Sequence, residues 1–420
     1  MKKYCLLMGF FALFLKSYPM ELSVEDVIQR ARTANNEIKI QDLEKNIQRK
    51  SKDKALKNLM LPPIKFSAEE DWEVVKDYGF GANEVTAYIP IFVGGKNVNT
   101  YKKAKANYSM AEHDQVLVKN AVEEMAVSKY FEALNYKRQV EISDLTIQAL
   151  ESQRRRLEVL FTGGKLIPKS ELLKVEANIK RNESLKLENI RKEKLAMGEL
   201  SKILNYPLDT EYSNMDFNLK EFMEGNTNIQ EKYGKEIEMT TLGEKEKLKV
   251  EIAQYDLKIA KADMYPVFYI EPTFQYQDKL YDSSGDAYLE KRDSDDRFYL
   301  QVGFSWTFAW GATLDSVSQK RWAYEKAKLE YEDNMKGIEL ETESRERKVQ
   351  ALYGRTLASK EEVAYLKENV KIDNMRYENG LITTFDYLNS VNSYRTAEAD
   401  YYEMVRNLVI ATMEFENIYK

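Results

Sequence analysis

Few residue types capable of catalysis or metal binding occur in this sequence. Its 420 residues include one cysteine, Cys5, and one histidine, His113. With a single side chain of each kind, the composition argues against zinc sites, disulfides, Cys–His nucleophiles and histidine general bases. His113 stands among charged residues in a helical pattern and is expected to be solvated. We therefore expect no catalytic residue, no metal site and no cofactor.

An acidic stretch at residues 278–297 is a further segment whose composition suggests chemistry. It carries several carboxylates, namely Asp282, Asp286, Asp293, Asp295 and Asp296. Carboxylate oxygens are ligands that Ca²⁺ prefers, but the spacing here lacks a full calcium-loop pattern. The charge run favours a solvated surface loop, with calcium binding as the alternative.

The overall charge and the N-terminal segment narrow the class of protein. A net charge of −6 gives no basic footprint for nucleic acid. Residues 1–20 place Lys2 and Lys3 before an apolar run from Cys5 to Leu15. That run is too short to cross a bilayer, and its flanks are typical of a secretory signal peptide. The sequence therefore predicts an exported protein.

Alternating residues near position 300 predict an unusually apolar strand. The segment "RFYLQVGFSWTFAWG" begins at Arg297, and its alternation indicates a β-strand. One face is apolar and aromatic: Phe298, Leu300, Val302, Phe304, Trp306 and Phe308. The chain is otherwise 31% charged, with a mean hydropathy of −0.58. Charged helices offer little surface to cover such a face, so the pattern favours a membrane barrel strand whose apolar side faces lipid.

The elements that carry these residues are long helices and short strands. Ser23 is expected to cap the first helix, with Asp26 reaching back, and this helix ends before Pro62. Proline-free stretches rich in Lys, Glu, Ala and Leu predict long helices after Gly95 and after Gly311. Strands are predicted at about 64–75, 84–93, 267–277 and 297–309.

The chain is predicted to be internally duplicated. Segment "YKKAKANY" at 101 matches "YEKAKLEY" at 324, and "LIPKSELL" at 166 matches "LITTFDYL" at 381. Repeat 1 (21–215) and repeat 2 (216–420) would each contain a helix, a β-hairpin, a long helix, a tight turn and a returning helix. The turns fall at about 161–168 and 378–384. The offsets of the matches predict that the long helices differ by one heptad before the Tyr-x-Lys-Ala-Lys segment.

Four strands cannot close a barrel, because the smallest membrane barrels have about eight. The chain must therefore oligomerise if its strands span a membrane. Three chains would supply twelve strands, and their long helices would continue the pore as a helical tube.

At this point the sequence resembles the TolC-type outer-membrane efflux and secretion channels. The opening "LSVEDVIQRARTANNEIKI", the helix-to-strand segment "AKADMYP", the strand-to-helix segment "IPIFVGG" and the turn "RYENGLITTFDYL" occur in the family's order. The resemblance implies a homotrimer with a twelve-stranded β-barrel in the outer membrane and a coiled-coil α-helical barrel in the periplasm. It also implies a periplasmic adaptor and an inner-membrane transporter as partners.

The resemblance further implies which residues would act at the periplasmic turns. The pore constriction would be lined by Glu171, Tyr377, Asp386 and Asn389. The adaptor would dock on the turn residues Gly163, Gly164, Leu166, Ile167, Gly380, Leu381, Ile382 and Thr383. Ile382 stands where a family member has Arg and Asn389 where it has a second Asp, so the sequence does not predict a salt-bridged lock at those positions.

A different class of protein gives the alternative interpretation. A secreted or periplasmic coiled-coil structural or adhesive protein would pack its strands on helices and form no pore. Fractionation distinguishes the two, because only the channel requires detergent and resides in the outer membrane.

Overall fold

A computed structural model describes residues 22–73, 78–163, 167–207, 237–281 and 295–419. The predicted signal peptide, the predicted boundary between repeats at 215/216 and most of the acidic stretch lie outside these residues. The chain divides into two units. The turn unit comprises the described residues of 1–38, 119–234 and 345–416, and the sheet unit comprises those of 39–118, 235–344 and 417–420.

Seven helices and five strands are described. The helices are α1 (Val24–Ala34), α2 (Asn36–Met60), α3 (Lys96–Thr162), α4 (Lys169–Leu204), α5 (Thr241–Ala262), α6 (Ala312–Glu378) and α7 (Thr384–Tyr419), with a 3₁₀ turn at Ile237–Met239. The strands are β1 (Ile64–Glu73), β2 (Tyr78–Ala87), β3 (Ile89–Phe92), β4 (Val267–Tyr281) and β5 (Asp295–Ser305).

The lengths of the helices repeat between the two halves of the chain. Helices α3 and α6 contain 67 residues each, and α4 and α7 contain 36 each. The predicted order of elements is therefore confirmed. The predicted difference of one heptad before the Tyr-x-Lys-Ala-Lys segment is present, because Tyr324 lies one heptad further into α6 than its sequence match Tyr101 lies into α3. The matched segments share composition but do not occupy equivalent places.

The first predicted helix is two helices, separated at Asn35. The capping box is present as expected, with Ser23 Oγ accepting from the Asp26 amide. Asn35 then takes an extended conformation, and its side chain donates to the carbonyl of Ile203 at 2.8 Å. The Asn35 oxygen accepts from the amide of Glu37 at 2.7 Å. A local cap combined with a distant contact ends one helix and begins the next, which helical periodicity cannot reveal.

The core of the turn unit forms where α3, α4 and α7 pack together. A buried apolar cluster joins these helices through Leu150, Leu157, Val175, Ile179 and Leu388. Ile167, which precedes α4, packs against this cluster. The cluster holds the start of α4 and the start of α7 in one packed body, and these are the segments that follow the two turns.

The sheet unit is built around β4. Strand β4 pairs antiparallel with β5 on one side and with β2 and β3 on the other, while β1 pairs with β2. The predicted strand 84–93 covers the end of β2 and all of β3, with a break at Tyr88 and a shift in register near Pro90. A β-bulge of this kind increases local twist and bends the strand. Strand β2 begins earlier than predicted, at Tyr78.

Strand β3 leads into α3 through Gly94 and Gly95, both with positive φ (59° and 77°). A Cβ on Gly94 would lie 2.9 Å from the carbonyl oxygen of Ala262, so only glycine allows this approach to the end of α5. An ion pair of 2.7 Å between Lys96 and Asp263 spans the same junction. The junction between strand and helix is therefore a packed contact within the sheet unit.

Candidate functional site

The apolar face of the sheet is continuous from edge to edge. One row of paired residues crosses four strands as Phe66, Val85, Phe274 and Phe298. A second row joins Phe92, Phe268 and Phe304 across three strands. Most of these side chains are exposed: Phe66 by 77%, Phe298 by 70% and Phe304 by 66%. Nothing in the described part of the chain covers this face, so it presents a broad apolar surface to its surroundings.

The opposite face of the sheet is polar. Its rows include Ser67, Glu84, Gln275 and Arg297, and Lys65, Thr86, Thr273 and Tyr299. The hydroxyls of Thr86 and Thr273 lie 3.3 Å apart across the strands. A sheet that is apolar on one side and polar on the other is typical of a membrane barrel with an aqueous interior.

Both edges of the sheet are unpaired in the described part of the chain. β1 pairs only with β2, and β5 pairs only with β4. Unpaired edge strands present a row of backbone donors and acceptors, which hydrocarbon cannot satisfy.

The predicted apolar strand is shorter than expected. β5 ends at Ser305, so the prediction that Trp306 and Phe308 lie in this strand is wrong for the single chain. Residues 306–309 follow without regular structure, and the first three are exposed, Trp306 by 60% and Phe308 by 68%. The equivalent segment of the first repeat, β3, is a strand because β4 pairs with it. Residues 306–309 have no such neighbour among the residues that the structure describes.

The second turn is closed by caps on both sides. Gly380, with a φ of 70°, ends α6, and the amide of Leu381 donates to the carbonyl of Arg376 at 2.8 Å in a Schellman arrangement. Thr383 then begins α7: its hydroxyl donates to the Asp386 carboxylate at 2.6 Å and accepts from the Asp386 amide at 3.2 Å. The hydrogen bonds from the Thr383 side chain and backbone lower the pKa of Asp386. Asp386 is therefore the acid of a capping box.

An aromatic pair and an ion pair stand next to this turn. The rings of Tyr377 and Tyr387 stack with centroids 5.3 Å apart, and Tyr387 is buried. Arg156 of α3 reaches Glu378, the last residue of α6, at 3.4 Å. Burial is the main cause that raises the pKa of Tyr387, and the charge of Glu378 adds to it. Sequence reasoning identified Tyr377 but missed Arg156, Glu378 and Tyr387, because their partners are more than two helical turns away along the chain or on another helix.

The first turn is described only in part, since Gly164 and Leu166 lie outside the described residues. Gly163 ends α3, where its amide donates to the Val159 carbonyl at 2.8 Å. After Pro168, Glu171 lies in the first turn of α4 and pairs with Lys174 at 2.8 Å. The predicted acid of this turn is therefore engaged within its own helix.

Asn389 lines a cleft of about 580 Å³ between α4 and α7. The lining is basic and rich in amides, with Lys174, Asn178, Arg181, Asn389 and Asn392, and the aromatic ring of Phe385 borders it. Arg395 lies one turn beyond Asn392, and its pKa is lowered by burial and then by the charge of Arg181. The structure thus brings Asn389 and Lys174, the partner of Glu171, to one cleft, while Asp386 takes part in the cap.

Two further observations concern metals and membrane helices. Among the residues that the structure describes, no group of three or more His, Cys, Asp or Glu side chains is placed to hold a metal ion. Across those same ranges, every helix lacks an apolar stretch long enough to traverse a bilayer.

Comparison with known proteins identifies this fold. Residues 244–417 match the family described as outer membrane efflux protein. The chain has the TolC-type fold. Among curated proteins no sequence matches it.

Solved channels with this TolC-type fold match nearly the whole chain. The CmeC outer membrane channel of Campylobacter jejuni is 15% identical, with a TM-score of 0.78, and the match covers 94% of this chain and 85% of CmeC. The outer membrane protein VceC of Vibrio cholerae is 14% identical, with a TM-score of 0.74 and coverage of 94% and 95%. The open MtrE channel of Neisseria gonorrhoeae is 12% identical, with a TM-score of 0.73 and coverage of 94% and 88%. At such identities these likenesses establish the fold.

Proposed function

We propose that this protein is an outer-membrane exit duct for efflux or secretion. It would work as a passive channel without a catalytic role, with its sheet in the outer membrane and its helices forming a tunnel in the periplasm. The observation that carries the proposal is the exposed apolar row Phe66–Val85–Phe274–Phe298, which crosses the whole sheet. Water does not solvate such a face favourably, whereas lipid does.

Oligomerisation follows from the two unpaired edges. In a bilayer every backbone polar group must be satisfied within protein, so β1 and β5 need partner strands. Three chains would close a barrel of twelve strands, counting β2 and β3 as one. We therefore propose a homotrimer surrounded by outer-membrane lipid.

The internal duplication supports a specific pairing between copies. Within the chain, the segment β3–Gly94–Lys96 packs on the end of α5 and the start of β4. Its equivalent, Phe308–Ala312, has the same turn: the Ala312 amide donates to the Ala309 carbonyl at 2.9 Å, as Lys96 donates to Val93 at 3.0 Å. The equivalent of Met264–Pro266 is Met60–Pro62, since both place Met-x-Pro between a helix and a strand.

The second junction would therefore form between two copies. Phe308–Ala312 of one chain would lie against Met60–Pro62 of the next, and residues 306–309 would become a strand beside β1. Exposure of the two surfaces agrees with this, since Trp310 is 90% exposed and Met60 71%. Trp310 also has a φ of 47°, a left-handed conformation that is costly for a non-glycine residue unless its surroundings hold it.

The turns are proposed as the periplasmic end of the duct. The constriction would be lined by Glu171, Tyr377, Asp386 and Asn389, and the adaptor would dock on the turn residues. Leu381 and Phe385 support docking, because they are 73% and 59% exposed beside the second turn. The Arg156–Glu378 pair ties the end of α6 to α3 and would act as a clasp there, in place of a lock through Ile382.

A fractionation experiment tests the proposed function. The protein should partition with the outer membrane, require detergent for extraction and migrate as a trimer. Cells lacking it should accumulate compounds that the paired inner-membrane transporter exports. A protein that stays soluble and monomeric after export would support the coiled-coil adhesive alternative.

A further inference from the structure

Three tyrosines and one glutamate are neighbours on the polar face of the sheet. The rings of Tyr88 and Tyr269 lie with centroids 5.0 Å apart. Glu271 follows Tyr269 by two residues in β4 and so faces the same side. Tyr299 pairs with Thr273, which makes it a diagonal neighbour of Glu271 at roughly 7–8 Å between Cα atoms. Tyr88, Tyr269 and Glu271 belong to a single chain and lie outside both edge strands and outside the helical turns.

Gly303 makes room for one of these rings. A Cβ on Gly303 would lie 2.7 Å from the hydroxyl oxygen of Tyr269 and 2.8 Å from its Cζ. Any other residue would therefore displace the ring. The phenol of Tyr269 lies across the neighbouring strand, as aromatic residues do when they cover a glycine in a sheet. Gly303 of β5 thus leaves the space that the ring of Tyr269 of β4 occupies.

We propose that Tyr88, Tyr269 and Glu271 form a binding site for organic cations. Aromatic faces attract cations through the ring quadrupole, and quaternary ammonium groups bind in cages of such rings. The carboxylate of Glu271 adds a full negative charge beside the two rings. A single carboxylate with aromatic neighbours offers too few oxygen ligands for a hard metal cation, which needs six or more.

This inference rests on the proposed function and extends it, because a cation site in the duct would define a class of cargo. The polar face would line the interior of the barrel, so a cation leaving the tunnel would meet this cluster. Conduction requires binding that is favourable enough for entry and weak enough for release. Tyr88, Tyr269 and Glu271 are only partly buried, which suits such weak binding.

Binding is tested first on the purified protein in detergent, where conduction is not needed. The probe is choline, followed by ligand-observed NMR, and the control ligand is its neutral analogue with carbon in place of nitrogen. We expect choline to bind and its analogue to bind more weakly. Tyr269→Leu should weaken choline binding about two- to five-fold, the size of one cation–π contact. Tyr269→Phe should retain the binding, because it keeps the ring.

Two more variants separate the site from general effects. Gly303→Ala should weaken choline binding as Tyr269→Leu does, because the new Cβ displaces the ring. Tyr276→Leu removes a tyrosine of the same strand from the opposite face and should leave binding unchanged. Equal binding of choline by the wild type, Tyr269→Leu and Glu271→Gln would overturn the proposal, as would equal binding of the neutral analogue.

Planar-bilayer recordings then distinguish this inference from the proposed function. Choline should reduce the sodium conductance of the wild type, and Glu271→Gln should relieve that reduction. If the protein binds choline but conducts no ions, the proposed duct is contradicted and the cation site is supported. If the protein conducts ions but choline neither binds nor reduces the conductance, the cation site is contradicted and the duct is supported.

Discussion

In the proposed membrane barrel, single residues on β5 would decide which side of the sheet meets lipid. Leu300 lies on the apolar face and is 58% exposed, while the next residue, Gln301, faces the polar side and pairs with Glu271. We expect Leu300→Arg to destabilise the inserted protein by about 2–4 kcal/mol, the cost of a lipid-facing arginine near the bilayer midplane. Gln301→Arg is the matched control and should assemble normally. Equal assembly of both variants in a membrane-insertion assay would contradict the lipid-facing assignment.

The cap of α7 is the second feature that depends on one residue. Thr383→Ala removes the hydroxyl that bonds Asp386, and loss of such a cap costs about 1 kcal/mol. Amide exchange at Asp386 should then speed up about five-fold, while Thr383→Ser should restore protection.

The pKa of Asp386 is lowered in the folded protein. The contribution of its charge is thus complete above the ordinary aspartate pKa and is lost as pH falls through the lower folded value. If amide exchange at this turn, corrected for the chemical exchange rate, became slower as the pH fell, ionised Asp386 would not stabilise the cap.

At the scale of elements, the proposed clasp joins α3 to the end of α6. Arg156→Ala should remove the tie to Glu378 and raise the open probability of the channel in bilayer recordings. The effect should be small, since both side chains are about half exposed and such pairs contribute 0–1 kcal/mol. Arg155→Ala removes a neighbouring arginine of the same helix as a control. Exchanging the charges, with Arg156→Glu and Glu378→Arg together, should restore the wild-type open probability; a double variant no better than Arg156→Ala would exclude the clasp.

The elements also show how far the sequence determines the fold. Periodicity and proline placement predict the long helices because these signals are local and extend over many residues. Local patterns do not predict the break at Asn35, because it depends on a contact with Ile203, 168 residues away. The end of β5 is missed for the same reason, because a strand needs a neighbour and residues 306–309 have none in the described part of the chain. At the turns, Asp386 and Glu171 each lie three residues from their partners, Thr383 and Lys174, and such local pairs can be recognised by spacing. The pairing of Glu378 with Arg156 of α3 becomes evident only in three dimensions.

At the scale of the whole molecule, the duplication predicts where two copies meet. Ala312 is equivalent to Lys96, and Leu59 is equivalent to Asp263, and the Lys96–Asp263 pair is in contact within the chain at 2.7 Å. Cysteines introduced at Ala312 and Leu59 should therefore cross-link between chains when a short bifunctional maleimide is added to membranes. The chain has one native cysteine, Cys5, which belongs to the predicted signal peptide, so the cross-links would report the introduced pair.

The pattern of products tests both the junction and the closed ring. Lys96→Cys with Asp263→Cys is the internal control and should cross-link within one chain without a change in subunit number. Ala312→Cys with Leu59→Cys should give covalent dimers and trimers and no larger species, because a ring of three identical junctions closes on itself. Either cysteine alone should remain monomeric on a denaturing gel. Products extending beyond the trimer would indicate an open assembly, and a trimer seen by other means without this cross-link would show that the copies meet elsewhere.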